Sequence, residues 1–170
     1  IFVSTAADIL GNKDQSDKKP QNLDSLMGKI VKIDLENVKN YEIYSLGHRN
    51  VIGMHINDNI ILATENGPRG GDEINLIKKG NNYGWPISSY GEKYRTPNQD
   101  EPFYKKSHQD FNYAEPIYSF IPSIGISEII KIGSNFSKQW RDSFLIASLN
   151  SRSIYRINFN KEYSKVKFIE

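Results

Sequence analysis

Apolar residues in this chain fall in short runs rich in Ile, Val, Phe and Tyr, separated by clusters of Gly, Asn, Asp and Pro. Eleven runs stand out: "IFVST", "KIVKIDL", "YEIYSL", "VIGMHI", "NIILATE", "EINLIKK", "EPIYSFI", "SEIIKI", "SFLIASL", "SIYRINF" and "KVKFIE". β-Branched and aromatic runs bounded by turn residues read as strands, so the pattern predicts an all-β chain. In one run Lys29, Val31 and Ile33 alternate with Ile30, Lys32 and Asp34, although neither face is purely apolar. A single helical turn is expected near Asn135 to Trp140.

The order of the runs suggests an architecture. The last block holds four consecutive strands, "ISEIIKI", "DSFLIASL", "RSIYRINF" and "YSKVKFIE". The block before it opens in the same way with "VIGMHI", "NIILATE" and "DEINLIKK", and a polar insertion follows over about residues 87 to 115. The first block, "IFVSTAAD", "GKIVKIDL" and "YEIYSL", lacks one strand. Repeated units of up to four antiparallel strands are what propeller blades look like. An eleven-stranded sandwich fits the count but explains the units less well. The expectation is one partial β-propeller domain over residues 1–170, with blade units of about 1–46, 51–120 and 124–170 and further blades needed to close a ring. Gly11 to Asp24 lacks apolar periodicity and reads as a long solvated loop.

Composition narrows the function classes. With 22 Lys plus Arg against 20 Asp plus Glu, the net charge of +2 gives no field that argues for nucleic acid or an anionic membrane surface. No apolar run approaches the ~20 residues of a membrane-spanning helix. The absence of cysteine removes disulfides, thiolate metal sites and cysteine nucleophiles. The chain opens at Ile1 on a strand-like run, which raises the expectation of a longer parent protein.

Two stretches carry candidate chemistry. In "NGPRGGDEIN" glycines flank Pro68-Arg69 and the carboxylates of Asp72 and Glu73 follow. Projecting carbonyls beside hard carboxylates suit calcium; a tight hairpin with capping carboxylates uses the same residues, and composition alone favours the hairpin. In "GHRN" the planar fork of Arg49 suits a carboxylate or a quinone oxygen, and Asn50 both donates and accepts. His48 reads as a hydrogen-bonded structural residue, and "NNYGWP" as a turn that buries Trp85 between blades. EF-hand spacing, a phosphate loop and a nucleophile elbow are all absent, and no triad is visible in the sequence.

Taken together, "LMGKIVKIDL", "GHRNVIGM", "ENGPRGGDEINLIKKGNNYGWP" and "FLIASLNSRSIYRINF" resemble the soluble quinoprotein glucose/sorbosone dehydrogenase family, in order and over nearly the whole chain. The resemblance implies a six-bladed β-propeller that uses pyrroloquinoline quinone (PQQ) and calcium to oxidise the anomeric carbon of aldoses to lactones. It implies that the carbonyls of Gly67 and Pro68 hold the calcium that also meets the quinone. Glu73 and Tyr83 match positions that help bind a second, structural calcium. Asn66, Asp72, Ser123 and Asn150 match cofactor positions, and the resemblance implies that Arg49 and Asn50 bond to the reactive side of the quinone and that Tyr118 lies near the sugar. The same matching puts Asn150 where the family has a lysine on the quinone, and Ile121 where a tryptophan covers the sugar. The family's histidine base is expected upstream of Ile1, and its pair of cofactor-binding arginines beyond Glu170.

The leading expectation is therefore about half of a sugar dehydrogenase propeller, inactive alone, acting in the whole protein on an aldose with an external electron acceptor. Neither nucleic acid nor a membrane is an expected partner, and open blade faces predict self-association. Family resemblance implies a periplasmic or secreted location. Two alternatives stay open: a propeller that serves as a non-catalytic binding module, and a calcium-dependent lactonase.

Overall fold

A computed structural model of the chain describes residues 1–7, 18–57, 60–94 and 104–170. Each of the eleven apolar runs forms one strand, and the strands make three antiparallel sheets. The first holds β1 (Phe2–Thr5), β2 (Lys29–Ile33) and β3 (Tyr41–Leu46). The second holds β4 (Val51–Asn57), β5 (Ile60–Glu65), β6 (Asp72–Ile77) and β7 (Tyr118–Phe120). The third holds β8 (Ile126–Lys131), β9 (Ser143–Ser148), β10 (Ser153–Phe159) and β11 (Val166–Ile169). Within each sheet, chain neighbours are spatial neighbours, the meander of a propeller blade. The chain is a partial propeller.

The middle sheet explains why "NIILATE" is nearly continuous in apolar residues. Leu62, Ile74 and Phe120 point to the third sheet and pack with Ile126, Ile129, Phe144, Ile146, Ile157 and Phe159. Ile61, Ala63 and Ile77, from alternate positions, point to the first sheet and pack with Ile30, Val51 and Tyr83. A strand covered on both faces has no polar side to show. The same alternation separates Asp72, on the third-sheet side with Ile74, from Glu73, on the first-sheet side with Asn75 and Ile77.

The helical turn expected near Asn135 to Trp140 is absent. Phe136 N–H bonds Gly133 O at 3.1 Å and Trp140 N–H bonds Ser137 O at 3.3 Å, which makes separate turns. Ser137 Oγ takes the Gln139 N–H at 3.2 Å, an alternative to helix that serine offers its own backbone; so few residues do not offset the cost of helix nucleation. Single 3-10 turns occur instead at Lys19–Gln21 and Gln109–Phe111. Of the predicted Gly11 to Asp24 loop, residues 11–17 lie outside the described residues, as do residues 95–103 of the insertion. Among the described residues no helix is long and apolar enough to cross a membrane.

Strand direction gathers the candidate chemistry at one end. β4 leaves that end and β5 returns to it, with Val51 opposite Glu65; β6 leaves and β7 returns, with Asp72 opposite Phe120. β8 leaves and β9 returns, with Ile126 opposite Ser148. The loops 47–50, 66–71, 121–125 and 149–152 therefore all emerge on the same side of the propeller.

Candidate functional site

The 47–50 loop is held on all sides by main chain. Gly47 N–H bonds Pro20 O at 3.0 Å, His48 N–H bonds Gly28 O at 3.1 Å, Ala7 N–H bonds Arg49 O at 2.8 Å and Asn66 N–H bonds Asn50 O at 2.9 Å. Arg49 is 7% exposed, and its Nη1 donates to Asn66 O at 2.8 Å with the guanidinium 5.4 Å from the Trp85 ring centroid. That hydrogen bond is the only one its guanidinium makes among the described residues, so most of the five donors of the fork are uncommitted. The Asn50 side chain likewise makes no hydrogen bond among the described residues, whereas Asn66 Nδ2 reaches Ile126 O at 3.4 Å.

Two glycines let the 66–71 loop turn back on itself. A Cβ on Gly67 would stand 2.1 Å from Gly71 O, and one on Gly71, at φ +78°, would stand 2.4 Å from Gly91 N. Asp72 braces this loop from below. Its Oδ1 accepts Gly67 N–H at 3.0 Å and lies 3.0 Å from Ser123 Oγ, while its Oδ2 accepts Ile126 N–H at 2.9 Å. Ser123 Oγ also lies 3.2 Å from Pro68 O, tying the loop to the 121–125 segment. Both oxygens of the fully buried Asp72 are thus occupied by protein donors.

Glu73 lies on the opposite face of the sheet, directly across the ladder from Glu65. Like charges facing each other across two strands are unfavourable, and here burial first, then the Glu65 charge, push the Glu73 carboxyl well above the usual carboxylate range. Asn75 Nδ2 bridges the pair, at 3.2 Å from Glu73 Oε2 and 3.4 Å from Glu65 Oε2. His108, 1% exposed, sits 3.8 Å from Glu73 Oε1 with no hydrogen bond to its Nδ1, and burial lowers its basicity. The Tyr83 hydroxyl donates to Leu76 O at 2.6 Å and accepts Lys78 N–H at 3.0 Å, and burial pushes it up to about 12. Its side chain is thus engaged with main chain, leaving its carbonyl as the group with which it could meet a cation.

Most of the candidate residues line two adjoining spaces, whereas Asn50, Asn66 and Asp72 line neither. Arg49, Gly67, Pro68, Glu73 and Tyr83 border a small cavity together with Glu65. Tyr118, Ser123, Asn150 and Ile121 line an open cleft of ≈ 550 Å³ with Ser151 and Tyr155. The Ser123 to Pro68 contact is the wall between them. Carbonyl and carboxylate oxygens around the first space are hard donors of the kind calcium takes, and the uncommitted Arg49 fork suits a quinone or carboxylate oxygen. Among the described residues, no three or more acidic or histidine side chains form a cluster that could hold a metal by themselves. Main-chain oxygens of the glycine loop would therefore have to supply much of any cation site.

One arrangement escapes the sequence. Ser45 Oγ lies 2.8 Å from His48 Nε2, and His48 Nδ1 lies 3.0 Å from Glu65 Oε2, the connectivity of a hydrolase triad. Ser45 and His48 are fully buried and Glu65 is 5% exposed, and His48 stacks on Tyr83 with centroids 4.7 Å apart. A serine without surface cannot meet a substrate, so this chain of hydrogen bonds fixes structure, as expected for His48. Trp85 is buried against Tyr104, as its turn predicted. Reasoning from sequence also missed Gln21, whose amide pairs head to tail with Asn82 and donates to Trp85 O at 2.6 Å. The signal for Glu65 was there: a lone carboxylate continuing the Ile61, Ala63 face directly into the glycine loop.

Over residues 4–169 the sequence matches the family model described as Glucose / Sorbosone dehydrogenase. The chain belongs to this family. It is 31% identical over 154 residues to aldose sugar dehydrogenase YliI of Escherichia coli, covering 82% of this chain and 41% of that protein. It is 27% identical over 208 residues to quinoprotein glucose dehydrogenase B of Acinetobacter calcoaceticus, covering 88% of this chain and 44% of that protein. The solved apo structure of the soluble aldose sugar dehydrogenase from Escherichia coli superposes with a TM-score of 0.78 at 29% identity, over 98% of this chain and 49% of that one. The chain therefore spans less than half the length of these two curated relatives.

Proposed function

We propose that the protein containing this chain oxidises the anomeric carbon of an aldose to a lactone with PQQ and calcium, passing the electrons to an external acceptor. The observation that carries the reading is the junction of the "GHRN" and "NGPRGG" loops, where the buried Arg49 guanidinium donates to Asn66 O and to no other acceptor among the described residues. Membership of a family whose relatives include sugar dehydrogenases, one of them a quinoprotein, supports it. Bound together, the quinone would supply the hydride acceptor and the calcium a Lewis acid.

The chain's own residues would do the positioning. The Gly67 and Pro68 carbonyls would face the cation, with Glu73 and the Tyr83 carbonyl serving a structural ion nearby. Arg49 would donate to a quinone oxygen in a site from which water is largely excluded, where a fixed cation is worth more than in solvent. Asn50 and Asn66 would complete the polar contacts, and Asp72 would hold the glycine loop still. The cleft lined by Tyr118, Ser123 and Asn150 offers hydroxyl and aromatic surface to a sugar. The proton acceptor for the sugar hydroxyl is expected outside this chain, and a periplasmic or secreted location remains part of the proposal.

The test is dye-coupled oxidation of a panel of aldoses by the full-length protein, with PQQ and calcium added singly and together, beside an Arg49→Ala variant. Turnover that needs both additions and is lost in the variant supports the reading. No turnover and no quinone binding by absorbance overturns it.

A further inference from the structure

We infer that Glu65 is the positioning residue for Arg49: its carboxylate grips the 48–49 segment and so sets where the guanidinium stands. This rests on the reading of Arg49 as the quinone's cationic partner. Glu65 Oε1 accepts the Arg49 N–H, and Glu65 Oε2 lies 3.0 Å from His48 Nδ1, so one carboxylate holds two successive residues. A carboxylate can only accept, so His48 carries a proton on Nδ1, and Ser45 Oγ at 2.8 Å from Nε2 secures the other side of the ring. Asn75 Nδ2, at 3.4 Å from Oε2, fixes the carboxylate from the β6 side.

The ladder fixes this geometry before any ligand arrives. Glu65 is the last residue of β5, opposite Val51, and its successor Asn66 provides the carbonyl that takes Arg49 Nη1 at 2.8 Å. Two consecutive residues of one strand end therefore hold Arg49 at both its backbone and its guanidinium. Glu65 anchors the near end of a long side chain whose far end, among the described residues, rests on Asn66 O and the Trp85 face. Loosening the near end frees the rotamers that a rigid partner for a ligand must not sample. Glu65 thus acts through Arg49.

The experiment compares Glu65→Leu, Glu65→Gln and Ser45→Ala in the full-length protein, alone and combined with Arg49→Ala. Two quantities are read: the NMR order parameter of the Arg49 Nε–H without ligand, and PQQ affinity by absorbance titration. Glu65→Leu keeps volume and removes both acceptors; it is expected to lower the Arg49 order parameter and weaken PQQ binding about tenfold. Glu65→Gln keeps one oxygen for the Arg49 N–H and is expected to restore part of both. Ser45→Ala, which disturbs only the far side of His48, is expected to lower the thermal midpoint and leave Arg49 ordered. In the Arg49→Ala background, Glu65→Leu is expected to change PQQ affinity no further.

An unchanged Arg49 order parameter in Glu65→Leu overturns the inference, as does full additivity of the two substitutions in PQQ affinity. If the unmodified protein binds no PQQ, the dehydrogenase reading fails, while the ligand-free order parameters still decide the role of Glu65. Should Glu65→Leu not fold, Glu65→Asp, which withdraws the carboxylate by one methylene, carries the same comparison.

Discussion

Asp72→Asn is the smallest change that should break the strut beneath the glycine loop. The carboxylate receives Gly67 N–H and Ser123 Oγ on Oδ1 and Ile126 N–H on Oδ2, and both Asp72 and Ile126 are fully buried. An amide has one oxygen. Kept at the Oδ1 position it still serves Gly67 and Ser123, but its NH2 then meets the Ile126 N–H, donor against donor. The alternative orientation abandons the Gly67 N–H, because the Ser123 hydroxyl can accept from the amide and turn its own proton to Pro68 O. A hydrogen bond to a charged acceptor is worth about 1.5–3 kcal/mol, and a buried donor without a partner costs about 1–3 kcal/mol. These describe overlapping parts of one loss, so the expected destabilisation is about 3 kcal/mol.

Ser123→Ala supplies the internal scale. It removes one hydroxyl from Asp72 Oδ1, which keeps the Gly67 N–H, so the loss is about 1 kcal/mol. The assay is the thermal midpoint with urea unfolding as a second measure. Because the degrees lost per kcal/mol shrink as the unfolding entropy grows with chain length, the two falls are compared as a ratio, and Asp72→Asn should lower the midpoint about three times as far as Ser123→Ala. If Asp72→Asn costs no more than Ser123→Ala, the carboxylate is not the strut described here, and its place in the site needs another explanation.

Arg49→Lys keeps the charge but loses the fork and much of the contact with Trp85; PQQ affinity should drop at least about tenfold by absorbance titration. Calcium should raise the thermal midpoint of the full-length protein, and Glu73→Gln should shrink that rise, read by differential scanning fluorimetry with and without chelator. Lys29, fully buried with Nζ on the carbonyls of Lys19, Pro20 and Met27, clasps the 19–27 segment, so Lys29→Met should expose that segment to limited proteolysis. Burial lowers Lys29 from 10.5 to about 8, so the unfolded chain holds more protons between those values. Its contribution to stability is therefore present above pH 10.5 and is lost as pH falls toward 8. The difference between unmodified protein and Lys29→Met, followed by urea unfolding across that window, should change accordingly.

Every strand was legible because the runs are short, β-branched and fenced by turn residues, and the blade grouping followed from their order. The helical turn failed because Ser137 claims the Gln139 N–H in a stretch too short to offset helix nucleation. The site was legible only in part. "GHRN" and "NGPRGGDE" announce themselves by composition, but whether neighbouring carboxylates cooperate depends on which face of β6 each occupies. Asp72 and Glu73, adjacent in sequence, support different interfaces. The Ser45, His48 and Glu65 chain needs both a tight loop and a strand pairing, and neither is written in local spacing.

The pairing of Glu65 with Glu73 shows how the two faces of the middle sheet divide their tasks. Toward the third sheet, Asp72 meets three protein donors and its charge is satisfied. Toward the first sheet, the oxygens of Glu65 accept from the 48–49 segment, whereas Glu73 opposite it accepts among the described residues only from Asn75, which it shares with Glu65, and its carboxyl is pushed toward the neutral form. A buried carboxyl short of donors and facing a second carboxyl is costly unless a proton or a cation joins it. The side with satisfied charge holds the loop rigid, and the side with unsatisfied charge borders Pro68 and Gly67, where a cation would be welcome. Placing the strut and the acceptor on opposite faces lets the loop keep its shape whether or not the ion is bound. This is why Asp72→Asn should damage the fold, whereas Glu73→Gln should mainly change the response to calcium.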